Sequence, residues 1–349
     1  MGEIIQIHLE EEERWNNCVR SFGDYDVFYL REYVLAFMNE NIKNGVPILL
    51  YYENSDDRAI NVVFKRDVAL DEKMHGKIAV GEYFDLVSPY GYGGFWGNIS
   101  DYDELNSTYN AFCVSQHYIC EFVRFELFGE YYAHYDGEVE SRTHNVVRNL
   151  EMPLDEMWMD FKQKVRKNVK KANANNLEIV IENTGAHLQD FLDIYYSTME
   201  RSNAENEYYF SKEFYKIINS MMDNIMYFYV IYAGKVISSE LVIYGSENCY
   251  SYLGGTNKEY FDLRPNDFLK YEVIKWAKEK GLKNFVLGGG YGADDGIFQY
   301  KTCLAPNGVV DFYIGRKVFD AYNYRKLVEI RAEENQNCLD SNYFPKYRA

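Results

Sequence analysis

The chain has 349 residues, 54 of them acidic and 37 basic, for a formal charge of −17, with 47% hydrophobic residues. That composition belongs to a folded globular chain, and the length exceeds one small domain at roughly 100–200 residues per domain. No uncharged apolar run approaches the ~18 residues of a membrane span, the longest being 224–234, and the glutamate-rich residues 1–20 lack the order of a secretory signal. The expected compartment is the cytoplasm.

In chain order, hydrophobic periodicity predicts a strand over 4–9, a helix over 10–19, and strands over 46–53 and 59–66. A helix over 101–114 with Ser100 as its cap follows, then a strand over 121–128 and a long helix over 155–175. Next come a strand over 177–182, helices over 187–201 and 211–222, the second capped by Ser211, and strands over 226–233 and 235–244 around the turn Ala233-Gly234-Lys235. The series closes with a strand over 249–253, a helix over 266–280 stopped by Gly281, strands over 284–287 and 309–314, and a helix over 320–333. The alternation gives α/β or α+β layers, and the hairpin makes the sheet partly antiparallel. Met152-Pro153 is the expected domain junction, because proline blocks a helix running through it.

The six cysteines form no CxxC pair and the six histidines no HExxH, which argues for reduced thiols and against a zinc site. The 34 tyrosines and 22 phenylalanines are mostly packing material, with some free to line a sugar or nucleotide pocket.

Three features can carry chemistry. Lys162, Lys164, Arg166, Lys167, Lys170 and Lys171 crowd one predicted helix with no acid between 161 and 177. Lys162, Arg166 and Lys170 share a helical face, which suits phosphates, whereas a solvated helix face is the plain reading of a charge run. The loop Ser88-Pro89-Tyr90-Gly91-Tyr92-Gly93-Gly94 precedes a helix start. Its glycines let backbone amides approach an anion between stacking aromatics, and turn chemistry alone explains it equally well. Gly288, Gly289, Gly290, Tyr291 and the residues after them match G-x-G-x-x-A, but with Asp294, Asp295 and Pro306 following, no amphipathic helix is expected and the dinucleotide fingerprint fails in context. A glycine loop that lets substrate pass close to the backbone is the better reading. Tyr300-Lys301 then offers an ammonium for the oxyanion formed when an amine attacks an acyl carbonyl, and Asp294 or Asp295 an acceptor for the amine's proton.

Taken in order, SPYGYGG at 88–94, RKNVKKA at 166–172, LKYEVIKWAKEKGLKNFVLGGG at 269–290, Gln299-Tyr300-Lys301 and Tyr343-Phe344-Pro345-Lys346-Tyr347-Arg348 resemble the Fem-type aminoacyltransferases and their acetyltransferase-like relatives in the GNAT superfamily. The resemblance implies two tandem GNAT-like domains with mixed sheets flanked by helices: 1–151, with 318–349 packing back on it, and a catalytic 152–317. It also implies transfer of an aminoacyl or acyl group, from aminoacyl-tRNA or acyl-CoA, to an amine of a muropeptide or nucleotide-linked sugar, with no metal and no tightly bound cofactor. Lys301 matches the lysine of the family's Phe-Lys pair, with Tyr300 in place of phenylalanine. Two departures stand out: the long helical-hairpin arm of larger members is missing, and 257–268, where GNAT enzymes carry a glycine-rich acyl-CoA loop, has no glycine and brings Asp267 to a helix start. The expected function is a Fem-like N-acyltransferase with aminoacyl-tRNA slightly favoured as donor. An acyl-CoA-dependent N-acetyltransferase of surface-polysaccharide synthesis and a non-catalytic nucleotide-sugar binder are the alternatives. The oligomeric state is not legible.

Overall fold

The computed structural model describes residues 2–38, 40, 44–290 and 295–349. Its strands are β1 (Glu3–His8), β2 (Gly45–Glu53), β3 (Arg58–Asp67), β4 (Phe84–Val87), β5 (Trp96–Asn98), β6 (Tyr118–Arg124), β7 (Glu138–Asn149), β8 (Glu178–Glu182), β9 (Ile225–Tyr232), β10 (Lys235–Tyr244), β11 (Asn248–Thr256), β12 (Asn284–Gly288) and β13 (Val309–Val318). The helices are α1 (Glu12–Arg20), α2 (Arg31–Phe37), α3 (Tyr102–Ser115), α4 (Tyr131–His134), α5 (Leu154–Asp160), α6 (Gln163–Ala174), α7 (Leu188–Arg201), α8 (Lys212–Ser220), α9 (Pro265–Glu279), α10 (Gly296–Leu304) and α11 (Ala321–Ala332). Among the described residues no helix is long and apolar enough to cross a membrane.

The chain forms two compact units, Met1–Arg142 with Phe312–Ala349, and Thr143–Asp311. The divisions therefore fall inside β7 and β13, not at Met152-Pro153 or after 317. A strand crosses a boundary without any proline or glycine to mark it, and Pro153 serves as the N-cap of α5 instead.

In the first unit β1, β2, β3, β4, β6 and β13 neighbour one another in that order, with β5 on β3. The β4–β6 pair is parallel and the other pairs of this unit are antiparallel. Leu105, Tyr109 and Cys113 of α3 bury against Ile48, Leu50, Val63 and Leu86. A second core joins Leu327, Val328 and Tyr347 to Val68, Ile119 and Cys120. At its edge Asp85, 0% exposed, accepts from Arg66 Nε (2.6 Å), Tyr347 Oη (2.9 Å) and Arg348 Nε (2.7 Å). Burial opposes ionisation of this carboxyl, but the two guanidinium groups outweigh it and hold its pKa below the ordinary value.

The second unit orders its strands β7-β12-β11-β10-β9-β8, with β11–β12 parallel. Alternation along β9 sorts the two cores. Tyr227 packs edge-on against Phe191 of α7, whereas Phe228 meets Trp276 of α9. The β9–β10 turn uses Ala233 and Gly234, both at positive φ (49° and 76°), as the sequence pattern predicts.

The long helix expected over 155–175 is two helices. Phe161, 1% exposed, and Lys162 take extended ψ angles of 142° and 144° between them, and Lys162 N–H donates to Cys303 O at 3.0 Å. Ser100 does not cap α3: Asp101 does, while Ser100 donates through N and Oγ to Asp57.

Because the depressed carboxyl of Asp85 contributes stability above its unfolded pKa that is lost as pH falls through its folded value, Asp85→Asn should destabilise the protein by about 3–5 kcal/mol. Urea unfolding at pH 7 measures this, and an unchanged midpoint would refute the role. The difference between variant and wild type should shrink as the pH falls below about 4.

Candidate active site

After Tyr250↔Val286 the parallel pair β11–β12 ends. Beyond that point β11 continues beside β10 and β12 beside β7. Polar residues collect where the strands part. Glu240, 3% exposed, is paired across the sheet with Phe228 and so faces α9, from which Lys270 Nζ reaches Glu240 Oε1 and Ser251 Oγ, both at 2.6 Å.

Lys301 lies on α10 and its Nζ donates to Gly289 O at 2.6 Å. Gly288, at φ +84°, has the missing Cβ position 3.2 Å from that Nζ, so a side chain there would crowd the ammonium. Burial lowers the Lys301 pKa to about 8, helped by Lys270 and opposed by Glu240 and Asp295. Tyr300 has a buried hydroxyl with no hydrogen-bond partner among the described residues. Burial raises its pKa first, and the charges of Asp267 and Glu240 add to it. Asp267, 7% exposed in the first turn of α9, accepts from Asn168 Nδ2 of α6 at 3.1 Å, and burial raises its pKa to about 6.

The expected residues fall into distinct places. Lys301, Tyr300, Gly288, Gly289, Gly290 and Asp295 come together. Asp295 is the N-cap of α10, accepting from Ile297 N–H at 2.9 Å, and a Cβ on Gly290 would lie 2.7 Å from its Oδ2. A helix does follow the glycine run, contrary to the sequence reading, because that cap starts it. Asp294 and Tyr291 lie outside the described residues. Asp311 sits 3.0 Å from His144 Nδ1.

On α6, Val165, Val169 and Ala172 are buried, and Lys162, Lys164, Lys167, Lys170 and Lys171 stay exposed. Arg166 reaches back along the chain, donating to Met159 O (2.6 Å) and Phe161 O (2.5 Å), so its guanidinium is engaged by these carbonyls.

The glycines of 88–94 serve packing in the first unit. Gly91, at φ +94°, leaves 2.5 Å between a Cβ and the Phe28 ring, and Gly94 O accepts from Tyr29 Oη at 2.9 Å. Gly93 N–H donates to Arg124 O at 2.7 Å, Ser88 Oγ accepts from Arg124 N–H at 3.0 Å, and Tyr92 stands edge-on to Phe28 and Phe312. Tyr90 stacks on Phe37 with ring centres 5.0 Å apart.

Lys270, Ser251 and Asn168 were not singled out from the sequence. The readable signal for Lys270 is a lysine on the same helical face as Asp267, Val273, Ile274 and Ala277.

Residues 159–302 match the family described as acetyltransferase (GNAT) domain. A lipid II:glycine glycyltransferase of Staphylococcus haemolyticus (strain JCSC1435) is 27% identical over 85 residues, an alignment that spans 24% of this chain and 20% of that protein. Among solved structures FemX superposes with a TM-score of 0.65 at 12% identity, over 93% of this chain and 99% of that one. A conserved protein from Bacteroides thetaiotaomicron VPI-5482 gives 0.59 at 11% identity, over 90% and 99%. The second unit thus carries a GNAT acyltransferase domain, with Lys270, Glu240, Lys301 and Asp267 inside the matched stretch. Across both units the chain shares the fold of FemX.

The opposing effects of Lys270 and Glu240 on Lys301 are separable. Glu240→Gln should move the Lys301 titration below about 8 and Lys270→Met should move it above. NMR titration of methyl-labelled lysines reads both, and a shift of the same sign in the two variants would refute the arrangement.

Proposed function

We propose that the protein is a Fem-like N-acyltransferase that moves an aminoacyl group from aminoacyl-tRNA to an amine of a nucleotide-linked sugar or muropeptide in the cytoplasm. The observation that carries the reading is Lys301, a half-buried ammonium bonded to Gly289 O just past the end of β12, with its pKa lowered to about 8. A neutral acceptor amine attacks the ester carbonyl, and the Lys301 ammonium stabilises the oxyanion. A carboxylate takes the amine's proton and passes it to the ribose oxygen, which leaves as the tRNA hydroxyl when the tetrahedral intermediate collapses. Asp267, whose charge acts on Tyr300, is a candidate for this role, because burial raises its basicity to about 6.

The start of α9 supports aminoacyl-tRNA over acyl-CoA. A helix N-terminus favours a phosphate, but here Asp267 brings its own carboxyl into the first turn and repels a pyrophosphate. The exposed lysines of α6, which packs on α9, supply a cationic surface beside it. The acyl-CoA alternative draws on the acetyltransferase description of the matched family.

Lys301→Ala should lower kcat by roughly 100- to 1000-fold with little change in KM. Wild-type activity should decline as pH rises through about 8, where the ammonium loses its proton. Transfer assays with charged tRNA and with acetyl-CoA, each with an amino-sugar nucleotide acceptor, decide the donor. Turnover with acetyl-CoA alone would overturn the tRNA reading, and full activity in Lys301→Ala would overturn the mechanism.

A further inference from the structure

Helix α6 carries its charge without compensation. Lys162, just before it, and Lys164, Lys167, Lys170 and Lys171 within it are exposed, and none of the five has an ion-pair partner among the described residues. No acid occurs between 161 and 177, so the helix supplies no carboxylate of its own. Such an island in a chain of net charge −17 suits the phosphates of a polyanion.

One carboxyl does meet α6, and it comes from α9. Val165, Val169 and Ala172 form the buried stripe of α6. Asn168, three residues after Val165 and four before Ala172, sits on the edge of that stripe, and its Nδ2 donates to Asp267 Oδ2 at 3.1 Å. Lys164 precedes Asn168 by four residues and Lys171 follows it by three, so both lysines flank this contact on the same side of the helix.

The charged and titratable groups around Asp267 come from three elements. Lys164 of α6 and Arg264, the N-cap of α9, both favour its ionised form, as does the Asn168 amide. Lys270, one turn further along α9, is taken up by Glu240. From α10, Tyr300 brings a buried hydroxyl whose ionisation the Asp267 charge opposes. Burial works against these cations and prevails, holding the carboxyl at about 6. A ligand can shift that balance from outside. Lys164 is exposed, so a phosphate reaches it from solvent, whereas Asp267 is 7% exposed. Neutralising the lysine and adding a nearby negative charge both make the carboxyl hold its proton more tightly.

We propose that α6 couples RNA binding to the Asp267 carboxyl, with Lys164 as the electrostatic contact and Asn168 as the positioning residue, so that Asp267 becomes a stronger base when RNA phosphates cover the helix. This rests on the donor class and proton acceptor proposed above, and adds that the donor itself prepares the acceptor of the proton.

The test follows the carboxyl and not the reaction. Carbon-13 NMR of carboxyl-labelled aspartate in the full chain, with Asp267→Asn to assign the resonance, should find its titration at about 6 without RNA. A saturating short RNA duplex should move it upward by roughly half a pH unit. Lys164→Met, at an exposed position that the fold does not depend on, should raise the titration by itself and remove most of the response to RNA. Asn168→Leu, which deletes the hydrogen bond, should also raise it but leave RNA affinity at neutral pH nearly unchanged. By linkage, RNA affinity at constant salt should fall about threefold as pH rises through the Asp267 titration, and most of that fall should be lost in Asp267→Asn. No RNA binding, RNA that binds without moving the carboxyl, or a response unaltered in Lys164→Met overturns the proposal. Transfer from charged tRNA by a protein whose Asp267 ignores RNA would refute the coupling alone. A carboxyl that responds to RNA in a protein that transfers nothing would refute the reaction and leave the coupling in place.

Discussion

Parallel strands β11 and β12 run together only as far as Tyr250 and Val286, and the second unit is organised around what their separation leaves unsatisfied. A sheet interior opened in this way must fill the gap with side chains that complete one another, because unpaired buried polar groups are costly. Lys270, Glu240 and Ser251 do so from three elements, and the pair they form is nearly dry. That pair also sets the electrostatic surroundings of Lys301. One member lowers its proton affinity and the other raises it, so this ammonium is tuned by a neighbouring pair of opposite charges.

Much of the architecture was legible because apolar alternation and capping obey local rules. The hairpin over β9 and β10 and the helices α7, α8 and α9 are of this kind. What escaped was decided by tertiary packing. The break between α5 and α6 carries no proline or glycine, since buried Phe161 and the carbonyl of Cys303 impose it. Strand β7 was missed because its first half, including Glu138, Arg142 and Thr143, is polar and exposed. Helix α10 was missed because its start depends on the Asp295 cap, which a reading for catalytic carboxylates had assigned to chemistry.

The site was legible in the same uneven way. Tyr300, Lys301 and Gly288 through Gly290 are contiguous enough for a motif to bring them forward. Lys270 and Asp267 belong to a helix whose apolar face looks ordinary, and only the fold shows that this face borders the gap. The loop at 88–94 shows how packing accounts for a glycine-rich stretch. Its glycines answer to the rings of Phe28, Phe125 and Tyr131, and its backbone is held by that of Arg124, whose guanidinium has no carboxylate partner among the described residues.

The uneven distribution of charge on α6 has a consequence for approach. Its exposed lysines form a small positive island on a chain whose net charge is −17. At low ionic strength, where screening extends over about 30 Å, an incoming polyanion feels mainly the surrounding negative charge. Near 0.15 M salt the screening distance shrinks to about 8 Å, and the island acts on its own. Association of a polyanion with this surface then has an optimum in ionic strength, instead of the steady decline shown by uniformly basic proteins.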